Sequence, residues 1–438
     1  MGCAKNSVDS ENMAGYLRQG GHRIVAHVNE ADAVIINTCG FIQPAVEENI
    51  ETILELAHHK NEGHIRLLLV TGCLTQRYQT ELVEELPEVD AFIGTGDYHR
   101  IAQILATISV GERYCSFNEE LTLPEQLPRV RLAKGPSAYV KIAEGCPRSC
   151  SYCIIPQIRG RLRSRSVDSI IQEVVDLTEQ GVKEIVLVAQ DTTAYGLDLQ
   201  KEPLFPLLLN ELAAIEGLHW IRFLYAYPEL INLPLLEVMA SQPKICAYLD
   251  LPLQHVSQRI LKSMGRKGSA DEYINLIRTI RQYLPEVALR STFILGYPDE
   301  TDNEFTQLLE FIDTVKFDNL AAFLFYPEKG ARAAEMPNQV SLEVARERFR
   351  KLTDLQEVIS SELAQQRIGT TTEVLVETVN VAEYSFSGRS YREAPEIDAL
   401  IICHQSPEQK LPRVGEFIPV RIMAADSQVL LGQQVKGV

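Results

Sequence analysis

Apolar runs and helical periodicity divide the first part of the chain into alternating strands and helices. The segment ADAVIINTCGF (31–41) predicts a strand that ends at Cys39, and HIRLLLVTGCLTQRY (64–78) predicts another that ends at Cys73. The segments after Cys3 and after Cys39 have helical spacing, and Gly20 and Gly21 close the first of them. This alternation predicts a small parallel α/β domain over residues 1–125.

The cysteines of this domain follow the predicted strand ends. Cys39 and Cys73 each leave a strand tip, and the carboxyl ends of parallel strands share the sheet edge where ligands bind. Cys3 has the same position before a helix but no strand before it. We therefore expect that the first strand of the domain is missing from this sequence, which a start codon placed too far downstream would explain.

A longer series of apolar strands separated by helices occupies residues 132–366. The six strand segments are SAYVKIAEG, VKEIVLVAQD, HWIRFLYAY, AYLDLPLQH, VALRSTFILG and FDNLAAFLFYP. Six such β/α units predict a partial barrel whose working face is the carboxyl end of its strands. Residues 370–438 change to short alternating strands with turn residues between them, which predicts a small antiparallel β-barrel.

Length and composition narrow the class of protein. The chain has 438 residues, a hydrophobic content of 45% and nine cysteines. Its longest apolar runs are too short to span a bilayer, so we expect a cytosolic protein without membrane association. In a reducing compartment, clustered cysteines favour metal or redox chemistry over disulfides. The net charge of −17 disfavours broad nucleic-acid binding and favours a basic partner.

The segment GCPRSCSYCIIP (145–156) carries the most specific signal. Its cysteines, Cys146, Cys150 and Cys153, have the spacing CxxxCxxC directly after the first barrel strand. Three thiolates from one loop can bind three irons of a 4Fe-4S cluster and leave the fourth open for a substrate or cofactor. A structural zinc site would need a fourth ligand, and a catalytic thiol would need an activating histidine; the loop supplies neither.

Cys3, Cys39 and Cys73 allow two interpretations. A lone cysteine is more often a small buried hydrophobic residue than a ligand. Three cysteines at equivalent turns of one parallel sheet favour a second cluster with an open iron. Cys115, Cys246 and Cys403 share no such context and are interpreted as packing residues.

The cysteine loop, with Tyr152 before its last cysteine, resembles the radical S-adenosylmethionine superfamily. That resemblance implies that S-adenosylmethionine binds the open iron and is cleaved to a radical that abstracts hydrogen, and that later loops hold this cofactor. The predicted cofactor contacts are Gln190, Asp191, Arg290, Ser291 and Gly296. Without the cysteines, the sequence GYPDE at the last of these loops would be interpreted as a plain strand-to-helix turn.

Two open clusters in one chain point to sulfur insertion. The segments GCAKNSVDSE, NTCGFI and TGCLTQRY, the cysteine loop and the final β segment together resemble the methylthiotransferase family over the whole chain. The resemblance implies two 4Fe-4S clusters and a carboxyl-terminal TRAM domain. It also implies two molecules of S-adenosylmethionine per turnover, and an electron donor such as flavodoxin or ferredoxin.

Members of that family modify either tRNA adenosines or one aspartate of the twelfth small-subunit ribosomal protein. Residues 371–438 carry six Lys and Arg against nine Asp and Glu, a net charge of −3. An RNA-binding domain would be expected to be basic, so we expect the β-carbon of the ribosomal-protein aspartate to be the target and no stable nucleic-acid binding. The segment GRSYREAPEIDALI also resembles the ribosomal-protein branch, although Ala399 stands where glycine is usual.

Three alternatives remain at this point. A tRNA methylthiotransferase is the first, and a non-catalytic iron-sulfur carrier is the second, disfavoured because both cysteine sets lack a fourth member. The third concerns the run RGRLRSR with Arg159, Arg161, Arg163 and Arg165, which could contact RNA phosphates. Such a run is more often solvated or ion-paired, and an arginine there could also orient the substrate carboxylate.

Overall fold

The structure is a computed structural model that describes residues 2–109, 111–118, 127–200, 202–406 and 408–435. Met1, Lys436 and the predicted domain ends at 125 and 438 lie outside the described residues. None of the helices within the described ranges is long and apolar enough to cross a membrane.

The amino-terminal domain is a parallel sheet with helices. Its strands are β1 (Ala33–Thr38), β2 (Leu67–Gly72), β3 (Ala91–Ile93) and β4 (Tyr114–Ser116), hydrogen-bonded in that order. Its helices are α1 (Ala4–Gln19), α2 (Gln43–Asn61), α3 (Cys73–Glu85) and α4 (Ile101–Thr107). The predicted parallel α/β arrangement is confirmed, and both cysteine-ending strands are present.

Six parallel strands form the central domain, as two adjoining sheets. The first sheet contains β5 (Ser137–Lys141), β8 (Glu184–Val188) and β9 (Trp220–Phe223), and the second contains β10 (Tyr248–Gln254), β11 (Ala288–Leu295) and β12 (Asn319–Leu324). A short antiparallel pair, β6 (Ala143–Glu144) and β7 (Arg163–Ser164), brackets the cysteine loop. A bridge between Ile221 and Ile245 joins the two sheets. The six strands predicted for the partial barrel are all present.

Most of the central helices cover the outside of these strands, whereas the first, which follows the cysteine loop, packs on α3 of the amino-terminal domain. The central helices are α5 (Ile155–Arg159), α6 (Val167–Glu179), α7 (Leu197–Gln200), α8 (Phe205–Ala213), α9 (Leu233–Ser241), α10 (Gln258–Ser263), α11 (Ala270–Tyr283), α12 (Asp302–Val315) and α13 (Leu342–Gln366). Strand residues with alternate spacing, such as Ile185 and Leu187, pack under them in the largest apolar core. The other face of the same strands, including Val186 and Val188, lines the barrel interior.

The carboxyl-terminal domain is a closed five-stranded barrel. Its strands are β13 (Thr371–Asn380), β14 (Ser385–Arg389), β15 (Leu400–His404), β16 (Phe417–Ala425) and β17 (Val429–Gln434). Four of the five pairings are antiparallel, as expected for the domain, but β15 pairs parallel with β17. The barrel is therefore mixed, because the 24-residue connection from β15 to β17 by way of β16 returns the chain in the same direction.

The carboxyl-terminal barrel closes the amino-terminal end of the central one. Leu375, Ala394 and Phe417 join the apolar cluster in the barrel interior, beside Trp220 and Tyr248 at the first positions of β9 and β10. Asp398, whose side chain is fully buried, accepts hydrogen bonds from Tyr248 and Arg290. At the other end of this interior cluster lie Tyr225 and Ala4, the first residue of α1.

A buried ion cluster links the carboxyl-terminal barrel, called the plug below, to the central barrel. Glu184 accepts from Arg222 at 2.8 Å and from Arg389 at 2.5 Å, and all three side chains are fully buried. Burial alone would raise the pKa of Glu184, but the two guanidinium groups outweigh it and lower the pKa to about 2. The carboxylate is thus charged at neutral pH, and together with Glu377, which accepts from Arg389 at 2.7 Å, it balances two buried cations from two domains.

We expect Glu184→Gln to destabilise the protein by about 3–5 kcal/mol, because removing one partner of a buried pair leaves the other charge uncompensated. Chemical denaturation followed by circular dichroism measures the change in midpoint. Glu347→Gln, which removes an exposed partner of Lys351, is the control and should leave the midpoint in place. Equal midpoints for the two variants would contradict this role of Glu184.

Candidate functional site

The structure brings Cys3, Cys39 and Cys73 to one edge of the amino-terminal sheet. Cys3 precedes α1, Cys39 follows β1, and Cys73 begins α3 directly after β2. Asn6 lies between them: its side-chain oxygen is 3.8 Å from the sulfur of Cys3 and 3.9 Å from that of Cys73. Its amide nitrogen donates to Thr38 at the end of β1. One side chain thus ties the first helix to the strand ends that carry the other two cysteines.

The turn before Cys73 requires glycine. Gly72 has φ +102, and a β-carbon there would stand 2.6 Å from the carbonyl oxygen of Thr38. The backbone of β2 therefore approaches β1 closely where both strands end, which places Cys73 beside the residue that follows Thr38.

Electrostatics distinguish Cys3 from the other two amino-terminal thiols. Burial raises the pKa of Cys39. Burial raises the pKa of Cys73 to about 11, and the neighbouring Cys3 and Cys39 add to this. Burial also opposes ionisation of Cys3, but the positive charges of Lys5 and Arg159 outweigh it and lower the pKa of that thiol. A buried group of thiolates needs positive charge beside it, which a metal cluster would supply.

The central cysteines lie in the loop between β6 and α5. The amide of Cys146 donates to Gly160 at 3.2 Å, and the amide of Cys153 donates to Cys150 at 3.1 Å. The sulfur of Cys153 accepts from the amide of Ile155 at 3.4 Å. Burial raises the pKa of Cys146 to about 11 and that of Cys153 to about 12, and the thiol of Cys150 adds to both shifts. These thiols interact with one another and present the same chemistry as the amino-terminal set.

Across the described residues, no three candidate ligand side chains converge around a single point as they would around one metal ion. Convergence on one ion is not what the predicted site requires, because each cysteine of a 4Fe-4S cluster binds a separate iron. Two groups of three cysteines, without a fourth protein ligand, suit such a cluster by donor chemistry.

The two cysteine groups are close neighbours. Cys73 packs in a small apolar cluster with Ile154 and Ile158, the first of which directly follows Cys153 in sequence. The hydroxyl of Thr95, beyond β3, donates to the carbonyl oxygen of Ile158 at 3.0 Å. The short helix α5 therefore separates the groups and is anchored on the amino-terminal domain.

A network of buried charges lies beneath the same helix. Arg159 donates to Asp9 at 2.8 Å and to Glu144 at 3.2 Å, and Lys141 donates to both of these carboxylates. All four side chains are at most 5% exposed. Arg159 also donates to the sulfur of Cys73 at 3.2 Å, so the network extends to a predicted cluster ligand.

The sequence did not reveal this network, because its members come from four separate elements. The sequence feature that belongs to this network is the arginine run RGRLRSR. The structure supports the ion-paired interpretation for two members of that run: Arg159 is 2% exposed and Arg165 is 4% exposed, the latter against Glu173.

The predicted cofactor contacts have different surroundings. Gln190 donates to Glu144, and Asp191 caps the turn that begins at Thr192 and accepts from Arg148 at 3.0 Å. The remaining three predicted contacts, Arg290, Ser291 and Gly296, lie along β11 and just after it. Arg290 pairs with Asp398 of the plug, and Ser291 donates to Leu251. The amide of Gly296 donates to Glu300 at 2.5 Å.

Polar atoms without a protein partner mark the mouth of the central barrel. Within the described part of the chain, they include one guanidinium nitrogen of Arg148, Nε of Arg266 and the side-chain oxygen of Gln190. Both guanidinium groups lie against the ring of Tyr227, at 3.8 and 4.3 Å from its centroid. Buried donors of this kind normally have partners, so these atoms are suited to a polar ligand.

Three family descriptions match the chain. Residues 1–94 match the uncharacterized protein family UPF0004, residues 140–312 match the radical SAM superfamily, and residues 368–435 match the TRAM domain. Together these matches span the first three strands of the amino-terminal sheet, most of the central barrel and the carboxyl-terminal barrel.

Similar proteins cover nearly the whole chain. The ribosomal protein uS12 methylthiotransferase RimO of Heliobacterium modesticaldum is 45% identical over 99% of this chain and 94% of its own length. The proteins of the same name from Geotalea uraniireducens and Clostridioides difficile are 44% and 43% identical, over 99% of this chain and 97% of each relative.

Among solved structures, the radical S-adenosylmethionine methyltransferase TsrM from Kitasatospora setae superposes with a TM-score of 0.56 at 14% identity, covering 74% of this chain and 72% of that one. The cobalamin-dependent radical enzyme OxsB superposes with a TM-score of 0.51 at 13% identity, covering 80% and 53%. These likenesses show the fold.

The entry to the central cysteine loop gives a test of local geometry. Gly145 has φ +78, and a β-carbon there would stand 2.1 Å from the carbonyl oxygen of Arg161. We expect Gly145→Ala to lower the thermal midpoint of the metal-free protein more than Gly63→Ala does. Gly63 has a similar φ of +82 with nothing within 4 Å, so it carries the backbone strain alone, about 1–3 kcal/mol. Equal losses would show that the contact with Arg161 does not constrain the loop.

Proposed function

The chain belongs to the RimO family of ribosomal protein uS12 methylthiotransferases within the radical SAM superfamily, and we propose that it adds a methylthio group to the β-carbon of one aspartate of uS12. The observation that carries the proposal is the placement of two three-cysteine groups on either side of α5, in a chain 45% identical to a RimO protein over 99% of its length. One group alone would suit many radical enzymes, whereas two adjacent groups suit the joining of sulfur to carbon.

We propose that Cys146, Cys150 and Cys153 hold one 4Fe-4S cluster and that Cys3, Cys39 and Cys73 hold the second. Thiols with raised pKa values in both groups fit a cationic centre. With S-adenosylmethionine bound, the central cluster would supply radical chemistry and the other would hold the sulfur to be transferred. The chain's part is to keep the two groups apart by one helix and to exclude water between them.

The cofactor contacts remain a proposal. Gln190 suits the role best among the five predicted residues, because its side-chain oxygen is buried without a protein partner. We add Arg148 and Arg266, whose unpartnered nitrogens lie near the central cysteines. Asp191 would act by holding Arg148 in place.

The carboxyl-terminal barrel supports a protein substrate. Two of its six basic residues do not face solvent as free charges: Arg389 binds Glu184, and Arg392 binds Asp318 of the central domain. Two of its nine acidic residues are likewise paired with arginines outside the domain, Asp398 with Arg290 and Glu393 with Arg367. Setting these pairs aside leaves an excess of three acidic residues, which suits a basic ribosomal protein and opposes tRNA phosphates.

The domain limits 1–125, 132–366 and 370–438 stay predictions. An electron donor such as flavodoxin or ferredoxin and a cytosolic location are also still predicted.

We expect the reconstituted protein, given S-adenosylmethionine, reductant and sulfide, to add a methylthio mass to one aspartate of uS12 and to leave tRNA unchanged. Mass spectrometry of both substrates, supplied separately under anaerobic conditions, measures this. Cys150→Ala and Cys39→Ala should each abolish the mass gain. Modified adenosine with untouched uS12 would favour the tRNA alternative and overturn the proposed substrate.

We also expect Cys39→Ala and Cys150→Ala each to lower the bound iron by about half after reconstitution, because each removes a ligand of one cluster. Cys115→Ala is the matched control, since Cys115 is exposed on β4 and should not alter iron content. Iron and sulfide analysis of the three variants measures the effect. An unchanged iron content in Cys39→Ala would remove the amino-terminal cluster from the proposal.

A further inference from the structure

We propose that Arg159 is a positioning residue for the amino-terminal cluster. Arg159 raises the reduction potential of this cluster through a charge-assisted hydrogen bond to the sulfur of Cys73. The inference rests on the proposed function, because it requires that Cys73 be a cluster ligand. Arg159 belongs to α5 of the central domain, the helix that follows the central cysteine loop, but it acts on the metal site of the amino-terminal domain.

The guanidinium of Arg159 is held in a single orientation. Its Nε donates to the sulfur of Cys73 at 3.2 Å, one terminal nitrogen donates to Asp9 and Glu144, and the other donates to Asn6 at 2.7 Å. Each nitrogen thus has an acceptor, and the side chain is 2% exposed. A buried arginine with this many fixed contacts cannot turn away from the sulfur.

The four charges of the ion network around Arg159 balance one another, and Lys5 adds a further buried cation beside Cys3. Lys141 and Arg159 supply two positive charges, and Asp9 and Glu144 supply two negative charges, all within one buried network. The charge of Arg159 is therefore already compensated inside the network. Its remaining donor is directed at Cys73, where it favours extra negative charge.

Asn6 extends the same arrangement to a second thiol. Its side-chain oxygen accepts from Arg159 and lies within 4 Å of the sulfurs of Cys3 and Cys73. Arg159 thus fixes the residue that spaces two of the three proposed ligands. Partners of this kind orient the ligands and tune the metal site, and their loss typically costs about 10–100-fold in metal affinity or activity.

The direction of the effect follows from charge. A reduced cluster carries one more negative charge than the oxidised one, and an N–H donor with a positive charge stabilises the reduced form more. Loss of the donor should therefore shift the reduction potential to a more negative value. A tenfold loss in the relative stability of the reduced form corresponds to about 59 mV for a one-electron couple.

The test uses the full-length chain with Cys146, Cys150 and Cys153 changed to Ala, so that only the amino-terminal cluster assembles. An electron paramagnetic resonance titration gives its potential. We expect Arg159→Lys to lower the potential by about 59 mV or more, because lysine keeps the charge but not the Nε donor. Arg165→Lys is the matched control: Arg165 is equally buried but donates to Glu173, Ser169 and Lys141, and the variant should keep the parent potential.

Equal potentials in the parent and both variants would overturn the proposal. Loss of iron in Arg159→Lys alone, with unchanged circular dichroism, would support it, because it shows that the cluster depends on this side chain. If no cluster forms in the parent, the assignment of Cys3, Cys39 and Cys73 fails, which is a failure of the proposed function and is distinguishable from an insensitive potential.

A second measurement does not depend on how Arg159 variants fold. The parent, grown with 15N-arginine and reduced, should show a 15N hyperfine coupling to the cluster by pulsed resonance. Arg77→Lys should keep that coupling, since Arg77 donates to Gly40 and not to a cysteine sulfur. Absence of any coupling, or its loss in Arg77→Lys, would overturn the role of Arg159.

Discussion

Four buried charges hold the amino-terminal sheet against the central barrel. Asp9 belongs to α1, Lys141 to β5, Glu144 to β6 and Arg159 to α5, so the network closes only when all four elements are in place. Removing such charges from water is costly, and the cost is offset only where geometry satisfies each of them. The network therefore specifies one relative placement of the two domains and stabilises no other.

The proposed chemistry depends on that placement. Each cysteine group lies at the carboxyl end of its own set of strands, and two domains joined by a flexible connection would hold them at variable separation. Here α5 carries an apolar contact to Cys73 on one side and follows Cys153 on the other. Its carboxyl-terminal residue, Arg159, anchors it in the ion network. A single five-residue helix thus sets the relation between the two groups.

The sequence predicted what depends on local pattern. Strands that end at Cys39 and Cys73 could be placed because apolar runs are local, and their convergence followed from the geometry of parallel sheets. The ion network could not be predicted, because Asp9 and Lys141 are 132 residues apart and either would be unremarkable on a surface. Arg290 shows the same limit. Its partner Asp398 belongs to the carboxyl-terminal domain, and nothing in the sequence of β11 indicates that this domain packs there.

The plug formed by the carboxyl-terminal barrel has a consequence for the reach of a substrate. It seals the starting ends of the central strands, whereas the cysteines lie beyond their finishing ends. Strands of four to eight residues separate the two levels by roughly 13–26 Å. A substrate bound to the carboxyl-terminal barrel would therefore need a loop of several residues that reaches along the side of the molecule to the cysteines. The site would then distinguish substrates by the length of that loop as well as by their charge.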